Sequence, residues 1–462
     1  MLTPQDLTRR KFLGNACAAV GATGVLSALA QLRMIGAVAA DAADASGSNY
    51  KALVCVFLYG GSDSNNVVIP VDNTDYNLYA SQRTALAIPQ SSVLPISPKT
   101  YSDGRSYGLH PSYPEIQSLF GKGQLAILAN TGTLTYPTTL SQYTSGSASL
   151  PPQLFSHADQ QTQWQSSLPD QPFQTGWGGR LADMINAINT NSTISMSISV
   201  AGENSFQIGQ TVSQYAVSPT GAVSLTGATG GTINPIRYQA QLDLLSQNEQ
   251  SLFQAAFANV TGSAVTDSAL LTSVLSGAAT LQTQFPNTSL GTQLQMIARL
   301  ISAAPQFGLK RQIYFASLGG FDTHTVELTT QGPLLVQVSQ ALNAFYNATV
   351  ELGVANQVTT FTASDFSRTY NTNGNGADHG WGSHHLILGG AVNGGDIYGK
   401  MPSLEIGGPD DTGRGRWIPS TSVDQYAATL ATWFGVSQSN LPVVLPNIGR
   451  FPTANLGFMS SS

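Results

Sequence analysis

Charge is scarce in this chain. Asp, Glu, Lys and Arg account for 10% of its 462 residues, against roughly 25% in a typical soluble protein. Apolar residues stand at 42%, which is ordinary, so low hydrophobicity combined with high charge, the composition of disorder, is excluded. The formal net charge of −6 argues against nucleic acid and anionic membranes as partners. No G-x-S-x-G elbow, Walker loop, dinucleotide fingerprint or H-E-x-x-H pair occurs, so neither a nucleotide fold nor a zincin is indicated. Ser, Thr, Gln, Asn and 46 glycines fill the space left by charge, a neutral polar surface suited to a periplasmic or secreted protein. Cysteine is limited to Cys17 and Cys55.

The N-terminus carries an address. Thr8-Arg9-Arg10-Lys11-Phe12-Leu13 precedes a soft run of Ala, Gly, Val and Leu from Ala16 to Leu32, too short and too rich in Gly to span a bilayer well. Paired arginines before such a segment mark a twin-arginine export signal, and Ala37-Val38-Ala39 supplies a small-x-small cleavage site. The expectation is therefore a signal over residues 1–39, an interaction with the twin-arginine export machinery, and no stable membrane span in the mature chain. Cleavage would remove four basic residues and one acidic residue, leaving 15 and 24 and a net charge of −9. Cys55 would then stand alone, which rules out an intramolecular disulfide.

In the mature chain, Lys51 to Tyr59 is a β-branched and aromatic run ending at Gly60-Gly61, the pattern of a strand buried on both faces in a parallel sheet. Leu125 to Ala129 reads as a second strand after a helix over Ser112 to Gly123. Strands over Gln312 to Leu318 and Gln357 to Thr362 flank a helical pattern from Pro333 to Gly353, a βαβ unit. Residues 193–226 alternate polar and apolar residues between Gly and Pro, predicting short antiparallel strands, and residues 239–304 predict two or three amphipathic helices. Residues 40–462 are read as one α/β domain, with 190–305 as an insertion or cap.

Only six histidines are present, and four of them fall between His324 and His385. Acidic residues sit beside them or just past strands and Gly pairs: Asp63 after Gly60-Gly61, Asp322 with His324 after Gly319-Gly320, Asp365 after Ala363-Ser364, and Asp378-His379 after Gly376. Carboxylates and neutral imidazoles suit a divalent cation, and ligands bind outside the carboxyl ends of strands in open parallel sheets. Asp63, Asp322 and Asp365 are expected to converge there, with His324, Asp378, His379, His384 and His385 as further candidate metal ligands. Each Asp alone also fits a helix cap. Ser156, ahead of a helical stretch from Ala158 to Gln165, fits either an N-cap or a nucleophile at a helix N-terminus. His157 or a late histidine is the candidate proton carrier. Arg368 fits either a clamp on an anionic oxygen or a surface ion pair.

Seven segments, in order, carry a resemblance: LVCVFLYGGSDSNNVVIP (53–70), LHPSYPEIQSLFGKGQLAILANTG (109–132), FSHADQQTQW (155–164), GWGGRLAD (176–183), ASLGGFDTH (316–324), FTASDFSRT (361–369) and ADHGWGSHHLILGGAVNGGDIYGKMP (377–402). Together they resemble the DUF1501 family of exported bacterial proteins, grouped with the alkaline phosphatase and sulfatase superfamily. That resemblance implies a three-layer α/β/α sandwich with a mostly parallel sheet, alkaline phosphatase-like, plus a mixed helical and β insertion. It further implies metals at the strand ends, with Asp63, Asp322, His324, Asp365 and a late histidine as ligands and Ser156 as nucleophile. The superfamily's phosphatases carry Asp-His where this chain has Asp365-Phe366, and the departure implies either one divalent cation (Zn, Mn, Ca or Mg) rather than two or a retired site. The implied function is an exported metal-dependent hydrolase of phosphate or sulfate esters, on small molecules or polysaccharide. The alternative is a non-catalytic, site-degenerate binding or assembly protein linked to cell-surface polysaccharide.

Overall fold

The computed structural model describes residues 50–189, 192–221, 233–247, 251–278 and 280–460. The expected export signal lies outside these residues, as do 222–232 of the expected insertion. Among the described residues a nine-stranded sheet runs β13 (Ile397–Gly399), β5 (Leu125–Gly132), β12 (Ser383–Leu388), β9 (Val358–Ser364), β1 (Lys51–Leu58), β8 (Arg311–Leu318), β6 (Ser197–Ser199) and β7 (Tyr215–Ala216), with β14 (Thr421–Ser422) beside β5. All pairings in this sheet are parallel except those of β12, which runs antiparallel to both β5 and β9; β2 (Val68–Pro70), β3 (Leu94–Ile96) and β4 (Tyr107–Leu109) form a separate antiparallel sheet.

Every residue of β1 from Ala52 to Leu58 is buried, so both faces of the sheet are covered, as its unbroken apolar run requires. The helices Pro114–Gly121, Ser289–Ser302 and Glu327–Glu351 pack against one another as one layer. A second set, His157–Ser166, Trp177–Ile185 and Val423–Phe434, contacts β9, β8 and β1 respectively. The architecture is the expected α/β sandwich with a mostly parallel sheet. Among the described residues no helix is long and apolar enough to cross a membrane.

One expectation is corrected. The alternation over residues 193–226 predicts short antiparallel strands, yet β6 and β7 pair parallel and β6 joins β8 in the central sheet. Strands of two or three residues carry too few positions for alternation to report direction. The βαβ unit over β8, the helix Glu327–Glu351 and β9 is present, but its strands are not neighbours, because β1 lies between them.

That insertion of β1 sets the site. Leu58 is in register with both Leu318 and Ser364, so three adjacent parallel strands end level, and the ends of β8 and β9 lie roughly 10 Å apart. Beyond β1 the chain passes through Tyr59 into Gly60 and Gly61, at φ +110° and +79°. A Cβ on Gly60 would lie 2.4 Å from the Asp322 nitrogen. The absent side chain is what lets the loop after β8 close over the end of β1.

Candidate metal centre

The four loops that sequence marked by Asp and Gly are drawn together beyond these strand ends. The loop after β8 carries Asp322 and His324. Residues past β9 fold into a hairpin of β10 (Arg368–Thr372) and β11 (Ala377–His379), whose register sets Arg368 opposite His379. Its turn reaches the β8 loop at Gly376, where a Cβ would meet the Thr323 oxygen at 2.3 Å. His157 comes from the first turn of the helix His157–Ser166.

One carboxylate oxygen is the hub. Asp322 Oδ1 lies 3.3 Å from His157 Nε2, 3.2 Å from His324 Nε2 and 3.5 Å from His379 Nε2. His324 Nε2 and His379 Nε2 are themselves 2.9 Å apart. The other nitrogen of each ring is held from behind. His157 Nδ1 meets Asp365 Oδ2 at 2.6 Å, His324 Nδ1 meets Asp378 Oδ1 at 3.2 Å, and His379 Nδ1 meets the Phe155 carbonyl at 2.5 Å. A carbonyl or carboxylate oxygen accepts, so each Nδ1 carries a proton and each ring turns its Nε2 toward Asp322. Three ring nitrogens and a carboxylate thus face one another. His157 Nε2 is buried with no hydrogen-bond partner. Ring nitrogens and a carboxylate gathered at these distances could hold a cation among them, and imidazoles backed by carboxylate or carbonyl oxygens are the usual outer shell of a metal site. The nitrogen and oxygen donors, with no thiolate, fit Zn²⁺, Mn²⁺ or a similar divalent ion. His157, Asp322 and His379 meet the spacing of a metal-holding group, and His324 joins through the distances above.

Electrostatics follow from the same contacts. Burial pushes the Asp322 carboxyl up, but the hydrogen bond and charge of Arg368, with His157 and His324, outweigh it and the net shift is downward. Burial acts the same way on Asp378, where Asn373, Arg414 and His324 prevail and bring its pKa down to about 2. The hydrogen bond to Asp365 raises the pKa of His157; burial lowers that of His379. Asp322 is half exposed and His324 nearly so, at 50% and 43% of their side chains, so the cluster is open to solvent on their side. Phe366, in the position of the missing histidine, is buried with its ring centroid 4.8 Å from those of both His157 and His379. It walls the cluster with an apolar face.

The structure brings together Asp322, His324, His379 and His157 as candidate ligands, with Asp365 and Asp378 behind them. Asp365 does not face the cluster directly: its oxygens also accept from Gly60 N at 3.3 Å and Gln161 Nε2 at 2.8 Å. Asp63 is not brought in. It is buried against Arg83, and its other oxygen accepts from the Asn65 backbone and amide at 3.1 and 2.9 Å. His384 and His385 lie on β12 away from the cluster. His384 Nδ1 accepts from Asn130 N at 3.0 Å, and His385 is packed between Trp164 and Tyr426. Burial depresses their pKa values to about 4 and about 3.

Arg368 is neither on the surface nor free to clamp an incoming anion. It is fully buried, and its guanidinium donates to the carbonyls of Gly60, Gly61, Phe321 and Ala377 and to Asp322. It ties the loops of β1 and β8 to the hairpin and fixes the Asp322 carboxylate. Ser156 is the N-cap residue of its helix, but its side chain caps no backbone N–H; its Oγ donates instead to Asp159 Oδ2 at 2.6 Å. Sequence reasoning missed Phe155, Gln161, Asn373 and Arg414. Gln161 was findable, four residues from His157 on one helix face. Phe155 acts through a backbone at φ +74°, which no residue pattern announces.

A family model described as "Protein of unknown function (DUF1501)" matches residues 50–412. The chain belongs to the DUF1501 family. No curated protein matches its sequence. Among solved structures, this DUF1501 chain is similar to the PsFucS1 sulfatase from Pseudoalteromonas sp. at 9% identity and TM-score 0.35, over 93% of this chain and 74% of that one. It is similar to the lipoteichoic acid synthase LtaP from Listeria monocytogenes at 8% identity and TM-score 0.37, over 86% and 75%. With the alkaline phosphatase PafA mutant the figures are 11%, 0.25, 70% and 64%. At such values these likenesses support no functional argument.

Proposed function

We propose that this DUF1501 chain is an exported, metal-dependent hydrolase of phosphate or sulfate esters, built on a single divalent cation held by His157, Asp322, His324 and His379. The observation that carries the reading is the convergence of three imidazole Nε2 atoms on Asp322, each ring held by an oxygen behind it. A divalent cation bound there would supply Lewis-acid polarisation of an ester oxygen. Asp365, Asp378 and the Phe155 carbonyl hold the three rings in the binding tautomer, and Arg368 holds Asp322. Phe366 and the buried strand ends keep water from the back of the site.

Ser156 immediately precedes His157, and its hydroxyl already donates to Asp159. In this reading Ser156 Oγ attacks the phosphorus or sulfur as Asp159 takes its proton, and the leaving alcohol departs with a proton from solvent; Asp159 then returns its proton to solvent and accepts one from a water that cleaves the Ser156 ester and releases phosphate or sulfate. His157 passes from proton carrier to ligand, and Asp159 takes the proton role in its place.

The test is hydrolysis of p-nitrophenyl phosphate and p-nitrophenyl sulfate by the full chain loaded with zinc or manganese. Turnover of at least one ester is expected, abolished by EDTA, by Asp322→Ala and by Ser156→Ala, with metal still bound in the serine variant. A metal-loaded protein inert toward esters of both kinds, polysaccharide esters included, contradicts the hydrolase and leaves the non-catalytic alternative.

A further inference from the structure

Phe155, Ser156 and His157 are consecutive, and each serves the site differently. The Phe155 carbonyl holds His379 Nδ1 at 2.5 Å, Ser156 is the candidate nucleophile, and the His157 ring joins the cluster. The turn that presents them is costly. Gln153 and Phe155 both have positive φ, at +53° and +74°, a region that side chains other than glycine rarely adopt. Such a backbone persists only where its surroundings over-determine it. Within the turn, Ser156 N donates to the Gln153 carbonyl at 3.0 Å.

Arg416 ties this turn to the hairpin that carries His379. Its Nε donates to the His379 carbonyl at 2.8 Å, and its guanidinium lies 4.6 Å from the Phe155 ring centroid. One side chain thus grips both residues whose hydrogen bond orients the His379 ring. A planar guanidinium can do both at once, donating in its plane and stacking on its face.

Arg416 is itself anchored. Asp411 accepts from the nitrogens of Gly413, Gly415 and Arg416 at 2.7, 2.7 and 3.2 Å. The carbonyls of Arg414 and Gly415 accept from Asn371 N and Tyr370 N at 3.1 and 3.2 Å, which lays the loop along β10. A Cβ on Gly415 would meet Tyr370 Cβ at 2.1 Å, so a side chain there would push the loop off the hairpin. From the same loop Arg414 pairs with Asp378, the carboxylate behind His324.

We infer that Arg416 is a positioning residue, setting the separation between the Ser156 turn and the His379 ring and acting only through those two groups. This rests on the proposed hydrolytic centre and adds a residue to it.

Arg416→Ala and Arg416→Lys in the full chain test it, with Arg105→Ala as a matched control. Arg105 also donates to a carbonyl, that of Pro402 at 2.8 Å, and stacks 5.5 Å from a ring centroid, that of Tyr107, but neither partner belongs to the site. Chelator competition reads zinc affinity, and turnover of p-nitrophenyl phosphate and p-nitrophenyl sulfate at saturating zinc reads kcat and KM. Arg416→Ala is expected to bind zinc about tenfold more weakly and to lose about tenfold in kcat with KM unchanged. Arg416→Lys, which keeps a cation over the ring and a donor, should recover part of both, and Arg105→Ala should change neither. In metal-free protein with isotope-labelled histidine, the His379 Nδ1–H resonance, assigned by its loss in His379→Gln, should be seen in the parent and exchange away in Arg416→Ala. Unchanged zinc affinity and kcat in Arg416→Ala, an unchanged resonance, or equal losses in Arg105→Ala overturn the inference. A parent that takes up no zinc and turns over neither ester removes the hydrolytic centre instead, and the resonance then decides the role of Arg416 by itself.

Discussion

The Nε2 atoms of His324 and His379 stand 2.9 Å apart, and each ring donates its Nδ1 proton to an oxygen behind it. Two ring nitrogens so placed share a positive charge between them, a proton or a metal ion. The site's chemistry is thus imposed by the Asp378 carboxylate and the Phe155 carbonyl, neither of which faces the space the cation would fill.

The carboxylates behind the rings should therefore govern metal affinity. Asp365→Ala and Asp378→Ala are each expected to weaken zinc binding by about 10- to 100-fold, the usual cost of losing such a partner. Asp63→Asn should leave zinc affinity unchanged while lowering stability by roughly 3 kcal/mol, since it leaves Arg83 poorly compensated in the interior. Competition with a fluorescent chelator, alongside urea unfolding, reads both quantities.

Arg368 joins four backbone carbonyls and Asp322 without reaching solvent. Arg368→Met should cost about 3 kcal/mol or more, because the buried carbonyls of Gly60, Gly61, Phe321 and Ala377 lose their shared donor. Urea unfolding of the metal-free protein measures it; a loss under about 1 kcal/mol would show that those oxygens find other donors.

Gly60→Ala meets both a positive φ and the Asp322 nitrogen at 2.4 Å. The expectation is a loss of more than about 1 kcal/mol together with weaker zinc binding, because the β8 loop must retreat. Gly104→Ala, also at positive φ but with open space around it, should lose stability alone.

Beneath the site, Glu327 is fully buried beside Arg83 and Asp63. Burial, with the neighbouring Asp63 charge, pushes its pKa up to about 9. The folded chain then holds a proton that the unfolded chain releases, so this group's contribution to stability is lost as pH rises toward 9, by about 1.4 kcal/mol per pH unit. Glu327→Gln, neutral at every pH and still able to accept from Arg83, should flatten the decline between pH 7 and pH 9. Melting temperatures across that range decide it; an unchanged slope means Glu327 is ionised.

Much of this was legible in the chain. The unbroken apolar run of β1 announced a doubly covered parallel strand, and Asp322, His324 and His379 were marked by their rarity beside Gly-rich turns. What stayed hidden depended on tertiary packing. Asp63 has the same local signature as Asp322, and only the arrival of Arg83 from the helix Asn73–Arg83 turns it away. His384 and His385 were indistinguishable in type from His379, but they lie within a strand of the sheet rather than beyond it. Arg368 read as a clamp because its five donors give no hint of how many carbonyls will surround it. The strained turns at Phe155 and Arg414 follow no residue preference at all.

The most direct test is metal content. Purified full-length protein, equilibrated with zinc and passed through a desalting column, should retain close to one ion per chain by plasma mass spectrometry, with X-ray absorption showing three imidazole nitrogens and at least one oxygen. His379→Ala and Asp322→Ala should each lose it. A parent protein that retains no divalent ion under these conditions, or variants that bind as tightly as the parent, would contradict the centre described here.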